Sequence, residues 1–332
     1  MTIFEGKRAL ITGGTGTLGQ AIVRRLLSGE QGQPDQLAIF SRNSTRSHQA
    51  FQEQLGDAAR HLRFVAGDVQ DYDSVLAAVQ DIDVVIHAAA LKHVHTCEYF
   101  PTETIKTNVQ GTINIMSAIN QSHSPVETFV GISTEQACSP ISVMGMSKAM
   151  MERILVEANV GSKTRFISVR YGNIIPSHGS VVPFFLKQIA RGGPVTVTSE
   201  DMTRFMLNVD RAVDALFAAI RDARPGEIYA PGAPAARITD LALALIDGRD
   251  IPIEYTGIRP GEKLHAVLIS EEESRRSIER NGYYVICPML PELAPASGQQ
   301  PVLGKEISSE HFLLPVEELK PLLAEFLEHN PV

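Results

Sequence analysis

Residues 8–19 read RALITGGTGTLG, an apolar run that ends at Thr12 and opens at once into Gly13-x-x-Gly16-x-x-Gly19. With the amphipathic stretch Leu18–Leu27 behind it, the segment predicts a strand, a tight turn and a helix. Glycines at these three places permit the turn and let backbone approach a pyrophosphate, which the N–H groups and positive dipole end of the helix would hold. The expected site is therefore a dinucleotide cradle on Gly13, Gly16 and Gly19, since strand before and helix after distinguish it from a glycine-rich turn that binds nothing.

Working outward, short apolar runs at Arg8–Thr12, Gln36–Ser41, Leu62–Ala66, Val84–His87, Thr128–Ile132 and Thr164–Arg170 read as strands. Between them Leu18–Leu27, Tyr72–Val79, Thr102–Asn120 and Val143–Asn159 carry apolar residues at helical spacing. Alternation of this kind predicts an α/β fold, a doubly wound parallel sheet of the Rossmann type. Beyond Arg170 the pattern loosens around Pro176, Pro183, Pro194, Pro225, Pro231, Pro234 and Pro252. The expected division is a cofactor-binding domain over 1–170, to which later segments return, and a smaller, mainly substrate-binding lobe over 171–332. Leu290–Gly304, rich in Pro, Gly, Ser and Gln, is expected to be an exposed loop.

The 332 residues are 44% hydrophobic and 20% charged, the composition of a folded globular chain of about two domain lengths. A net charge of −8 argues against nucleic acid or an anionic membrane surface and leaves small molecules as the expected partners. Cys97, Cys138 and Cys287 lack paired spacing, so a reducing compartment without a metal site is expected. The opening MTIFEGKRALITGG has no apolar h-region and no stretch reaches the ~18 apolar residues of a span, which places the expectation in the cytoplasm.

The second strand ends in Phe40-Ser41-Arg42, where an NAD enzyme usually presents an acid to the ribose 2′-hydroxyl. Ser41 and Arg42, with Arg46 nearby, instead suit a 2′-phosphate, so NADP is expected rather than NAD. Asp68, in Gly67-Asp68-Val69, either holds the adenine edge or caps the next helix. Ala88, Ala89 and Ala90 close the fourth strand with side chains small enough for a cofactor to lie against the backbone.

The glycine triplet, the alanine run and Lys148 after the fifth strand resemble the extended short-chain dehydrogenases/reductases. HAAALKHV (His87–Val94), CEYFPTETIKTNVQGT (Cys97–Thr112), SPISVMGMSKAMMER (Ser139–Arg153), RYGNIIPSHGSVVPFF (Arg170–Phe185), MTRFM (Met202–Met206) and RPGEK (Arg259–Lys263) are similar to UDP-N-acetylglucosamine 4,6-dehydratases of the capsule type, which also invert C5. The resemblance implies a nucleotide sugar oxidised at C4 by bound NADP, water lost across C5 and C6, and hydride returned to C6. It also implies cofactor contacts at Thr15, Thr17, Leu18, Val69, Lys92, Asn108, Lys148 and Tyr171. Substrate contacts are implied at Lys92, Gln136, Asn173, Val181, Arg204, Arg259 and Glu262, and the long helices imply a homo-oligomer.

Lys148 matches the lysine that hydrogen-bonds the nicotinamide ribose. Four residues earlier, where most of the superfamily has tyrosine, stands Met144, whose thioether cannot transfer a proton. Thr134 is placed to meet the sugar 4-hydroxyl. The family continues with an Asp acid and a Lys base, but here Glu135 and Gln136 follow. Glu135 can still carry a proton, whereas an amide cannot serve as a base. His95 and Lys92 are the substitute bases by motif, and Cys97 and Glu98 match family positions that are as readily structural. The departure keeps open a UDP-sugar 4-epimerase, a 5,6-dehydratase, or a catalytically silent nucleotide-binding protein.

Overall fold

A computed structural model of the chain describes residues 2–42, 49, 51, 53, 55–122, 125–175, 180–293 and 303–329, without the side chains of 57–59 and 325–329. Its centre is a nine-stranded sheet. Strands β1 (Arg8–Thr12), β2 (Gln36–Ser41), β3 (Leu62–Ala66), β4 (Val84–His87), β5 (Thr128–Thr134) and β6 (Arg165–Tyr171) lie in the order β3-β2-β1-β4-β5-β6, all parallel. Ala9, Leu10, Ile11, Leu37, Ala38, Ile39, Val85 and Ile86 are buried as continuous runs, as a sheet covered on both faces requires. The order reverses between β1 and β4, which opens the ligand crevice at their carboxyl ends.

Helix α1 (Thr17–Leu27) buries Ala21, Ile22, Val23 and Leu26 against one face, and α2 (Tyr72–Ala78) caps its start with Asp71, whose side chain accepts from the Asp73 N–H. The expected helix Thr102–Asn120 is instead three pieces: α4 (Pro101–Ile105) after a short α3 (Val94–Tyr99), then a widened π-turn over Lys106–Gln110, then α5 (Gly111–Gln121). The widened turn carries the fully buried Asn108. Bulges of this kind gather at functional sites. Helix α6 (Val143–Glu157) has Ser142 as its N-cap and the Glu98 carboxylate accepting from the Val143 N–H at 2.7 Å.

Three strands beyond position 171 join the same sheet: β10 (Ile228–Pro231) parallel to β6, then β15 (Tyr283–Ile286) and β14 (Ser277–Arg280) antiparallel at the edge. The other sheets are small: β7 (Asn173–Ile175) with β9 (Thr203–Asn208) and β11 (Ala235–Arg237), β8 (Val195–Val197) with β12 (Ile253–Tyr255), and β13 (Val267–Ile269) with β16 (Ile307–Ser308). Helix α8 (Val209–Asp222) packs under the large sheet, while α7 (Val181–Ala190), α9 (Ile238–Ile246) and α11 (Val316–His329) share a second apolar core with Met202 and Met206. Of the stretch expected to be a loop at 290–304, most lies outside the described residues. Among the described residues no helix is long and apolar enough to cross a membrane.

One buried ionic cluster joins these parts. Arg170 on β6 is 1% exposed and grips Glu152 of α6 (Nη2 to Oε2, 2.7 Å) and Glu273 of α10 (Glu271–Ser274; Nη2 to Oε1, 2.8 Å), with a further bond to Leu268 O. Burial acts to raise the Glu273 carboxyl, but the Arg170 hydrogen bonds and charge outweigh it and hold it at about 2. Arg170→Met strands two buried carboxylates and is expected to cost about 3–5 kcal/mol in urea melts. A triple variant with Glu152 and Glu273 also made Gln should lose less than that. Equal losses would show that the charges are not what matters.

Candidate active site

The cofactor half stands at the switch point. Gly13 has φ +69°, and a Cβ on it would lie 2.6 Å from Ala89 N and 2.7 Å from Ala88 C. Only glycine fits there. A Cβ on Gly19 would meet Gly14 Cα at 2.5 Å, so this glycine sets the closeness of helix and turn. Gly16 is the N-cap of α1; it has no side-chain cap and no acid follows in the first turn, which suits an anion at the dipole end. Thr15 is exposed, and Thr17 and Leu18 are half-buried beside it. Ser41 is half-buried and Arg42 exposed at the end of β2, while Arg46 lies outside the described residues. Asp68 does not cap the next helix, a task that falls to Asp71; its Oδ1 accepts from the Gln70 N–H at 3.0 Å. Val69 is buried against Gly111. A cradle that a Cβ would fill and an uncapped helix start both fit a dinucleotide.

Beneath the alanine run, His87 is fully buried between two threonines, 2.8 Å from Thr12 Oγ1 through Nδ1 and 3.2 Å from Thr112 Oγ1 through Nε2. Thr112 donates its own proton to Asn108 O at 2.9 Å, so Nε2 must carry the hydrogen and Nδ1 must accept from Thr12. Thr12 Oγ1 in turn accepts from the Ala89 N–H at 3.3 Å. A directed chain thus runs from the alanine floor to the π-turn. Burial, helped by the nearby Lys148 charge, pushes His87 down to about 3. The Asn108 side chain is engaged by the protein: Oδ1 accepts from Leu91 N, and Nδ2 donates to Leu91 O and Ser147 Oγ. These bonds tie the strand end to α6 through the residue expected at the cofactor. Tyr171, also expected at the cofactor, has its ring in the main core and its hydroxyl donating to Ala212 O at 2.7 Å.

On α6, Lys148 is 5% exposed and donates to Ile132 O at 2.8 Å; burial lowers it to about 8 against the pull of Glu152. Met144 is buried one turn earlier. At the end of β5, Glu135 is 3% exposed, its Oε2 accepting from Thr134 Oγ1 at 2.7 Å and its Oε1 from Gln136 Nε2 at 3.3 Å. Thr134 also accepts from the Gln136 N–H, capping the turn.

Three buried side-chain oxygens have no hydrogen-bond partner among the described residues: Gln136 Oε1, Asn173 Oδ1 and Glu262 Oε2. All three belong to the expected substrate set. Gln136 follows Thr134 by two residues and Asn173 follows Tyr171 by two, and Thr134 and Tyr171 are register partners, so both leave neighbouring strand ends. Arg204, lowered by burial, feels the charges of Glu135 and Glu262 and donates to Thr203 O, Leu264 O and Lys263 O. Sequence reasoning did not single out Lys263, although it closes the RPGEK run. It is buried, donates to Cys138 O, and is lowered by burial while Cys138 and Glu135 pull the other way. Val181 opens α7 half-buried, and Arg259 is exposed.

Not every expected base is drawn in. His95 is exposed and stacks on Tyr99 at 4.7 Å between ring centres, while Val94 and Glu98 of the same helix approach Gly261. Lys92 follows the alanine run, and partial burial lowers its ammonium. Cys97 is buried against Leu91 O.

The family described as polysaccharide biosynthesis protein matches residues 9–288. A UDP-N-acetylglucosamine 4,6-dehydratase (inverting) of Campylobacter jejuni is 38% identical over 292 residues, covering 87% of this chain and 85% of that protein. A UDP-glucose 4-epimerase of Rickettsia typhi is 36% identical over 337 residues, covering 99% and 92%. Among solved structures, Pen from Bacillus thuringiensis superposes with a TM-score of 0.88 at 33% identity, covering 97% of this chain and 99% of that one.

The buried His87 has a consequence for acid stability. Its folded value of about 3 lies below the 6.5 of an exposed imidazole, so the unfolded chain takes the proton first. Stability is complete above pH 6.5 and falls as pH drops toward 3, at about 1.4 kcal/mol per pH unit. Between pH 6.5 and 4.5 a loss of roughly 2–3 kcal/mol is expected in denaturant melts, and His87→Asn should flatten that slope. An unchanged slope in the variant would assign the loss elsewhere.

Proposed function

The chain belongs to the polysaccharide biosynthesis protein family of extended short-chain dehydrogenases/reductases, and from that premise we propose that it is a nucleotide-sugar 4,6-dehydratase acting on a UDP-N-acetylhexosamine, UDP-N-acetylglucosamine first, through NADP and with C5 epimerisation. The observation that carries the proposal is the buried Thr134-Glu135-Gln136 turn, a carboxylate in the family's acid position with unpartnered acceptors from Gln136, Asn173 and Glu262 near it. Hydroxyl and amide N–H groups of a sugar are the donors such oxygens lack.

Gly13, Gly16, Gly19, Ala88–Ala90 and Lys148 would hold a nicotinamide dinucleotide, which would supply reversible hydride transfer. Lys148, protonated near neutrality and lowered to about 8, holds the ribose hydroxyls and favours ionisation of the hydroxyl it meets. Thr134, its own proton on Glu135, meets the sugar 4-hydroxyl as an acceptor. Loss of hydride from C4, with the 4-hydroxyl proton passed to solvent through the ribose hydroxyl that Lys148 would hold, leaves a ketone that acidifies the C5 hydrogen, and Glu135 protonates the departing C6 hydroxyl. Arg204 and Arg259 supply charge for the pyrophosphate, and Arg42 for a 2′-phosphate. A second copy of the chain is the proposed cover for the exposed Phe100, Ile105, Met146 and Met150; a monomer in sedimentation at working concentration would refute it.

A 4-epimerase is the second reading, favoured by Gln136 where the dehydratases carry their lysine base. Incubation with UDP-N-acetylglucosamine in D2O separates the two. Loss of one water with deuterium at C5 is expected, and unchanged mass with inversion at C4 would establish epimerisation instead. The cofactor extracted from the purified protein should be NADP, and NAD alone would reject the Arg42 assignment. Lys148→Ala should slow product formation by roughly 10²-fold or more, with Met144→Leu mild.

A further inference from the structure

We propose that Glu135 is the one proton carrier of the elimination, taking the C5 hydrogen as a base and, in the protonated form so made, protonating the leaving C6 oxygen. This rests on the dehydratase reading and concerns the step for which the chain lacks the family's lysine. Both carboxylate oxygens accept hydrogen bonds, Oε2 from Thr134 and Oε1 from Gln136 Nε2. Two cations stand within electrostatic reach, Arg204 and Lys263, each anchored to backbone carbonyls rather than paired with Glu135 by a direct bond. Both oxygens thus act as acceptors, the hydrogen-bonding role of a carboxylate with lone pairs open to a proton. A carboxyl whose only task was to give one away would be better served by acceptors.

The remaining candidates are placed for other work. The Gln136 amide has no basic lone pair and spends its Nε2 on pinning Glu135. His95 is exposed and stacked on Tyr99. Glu262, whose Oε2 lacks a partner, is the one other carboxylate that shares Arg204. It is therefore the rival to be tested.

The chemistry closes with a single group because C6 is exocyclic. Rotation about C5–C6 brings the C6 hydroxyl to the side from which the C5 hydrogen leaves, so one carboxyl reaches both. Glu135 removes the C5 proton, and the C–H electron pair becomes the enolate of the 4-ketone. As the enolate electrons form the C5=C6 bond, the C6–O bond breaks. The proton on Glu135 goes to that oxygen, water departs, and the carboxylate is restored. Hydride gained at C4 oxidation then returns to C6, and solvent protonates C5. Glu in place of Asp adds the methylene that lets one side chain swing between the two positions.

The test uses the full-length protein with its bound cofactor and UDP-N-acetylglucosamine deuterated at C5, in H2O, following by mass spectrometry both deuterium wash-out from recovered substrate and water release. Glu135→Gln should lose both by at least about 10²-fold. Glu135→Asp, which keeps the carboxylate, should slow both by one common factor. His95→Ala should retain wash-out, and Glu262→Gln, which alters a substrate acceptor, should raise KM while wash-out persists at saturating substrate. Thermal melts and cofactor stoichiometry check that the variants are folded, and a misfolded Glu135→Gln leaves the decision to Glu135→Asp. Wash-out that persists in Glu135→Gln, unequal factors in Glu135→Asp, or wash-out abolished by Glu262→Gln overturns the single-carrier assignment while leaving the dehydratase reading intact. Wild-type protein that inverts C4 without releasing water overturns that reading and this inference with it.

Discussion

Arg170 is the side chain on which the rest of the structure turns. A guanidinium placed out of water is costly unless its donors are satisfied, and Glu152, Glu273 and the Leu268 carbonyl supply that from three different elements. Satisfying one arginine therefore aligns β6, α6, α10 and the approach to β13. Ser133 joins the same cluster by donating to Glu152 Oε1 at 2.6 Å. That bond fixes the residue immediately before Thr134 and Glu135. Lys148 lies one turn before Glu152 on α6, so the geometry of the proposed proton-transfer groups follows from this cluster.

A second constraint is directional. Because Thr112 must donate to Asn108 O, every hydrogen from there to Ala89 has one permitted orientation. The floor of the cofactor cradle and the π-turn are thereby registered to each other through a neutral imidazole. Asn108 extends that registration to Leu91 and to Ser147, the neighbour of Lys148. The cradle side and α6 are thus held by one network that runs through the widened turn.

The sheet was legible because buried parallel strands are continuous apolar runs, and the first four observed strands coincide with those read from sequence, from Arg8–Thr12 to Val84–His87. The last two differ by one or two residues at their ends, where Thr134 and Tyr171 still pair. The π-turn was not legible, since one extra residue per turn barely disturbs helical spacing across Thr102–Asn120. Nor were β14 and β15, short antiparallel additions from a proline-broken region. Glu135 and Gln136 were visible as departures in a familiar place. The burial of Lys263, the inward turn of Tyr171 and the Thr12–His87 pairing were not, because each depends on contacts between residues remote in sequence, 75 positions apart in the last case.

Charge balance gives a reason for the altered pair. Around the end of β5 stand two cations, Arg204 and Lys263, and two carboxylates, Glu135 and Glu262, so this part of the site is neutral before substrate arrives. Behind it Arg170 and Arg276 balance Glu152 and Glu273, with Lys148 also near Glu152. A lysine in place of Gln136 would add a buried cation to this balanced set, costly unless Glu135, which the 136 side chain touches at 3.3 Å, became its direct partner. An amide at 136 avoids that imbalance and still supplies an acceptor to the ligand. The same amide lacks a basic nitrogen, so the charge balance and the proposed single-carrier role of Glu135 both turn on this one residue. With Lys263 buried from the other side of the turn, the carboxylate at 135 keeps a cationic neighbour without that neighbour occupying the substrate's place.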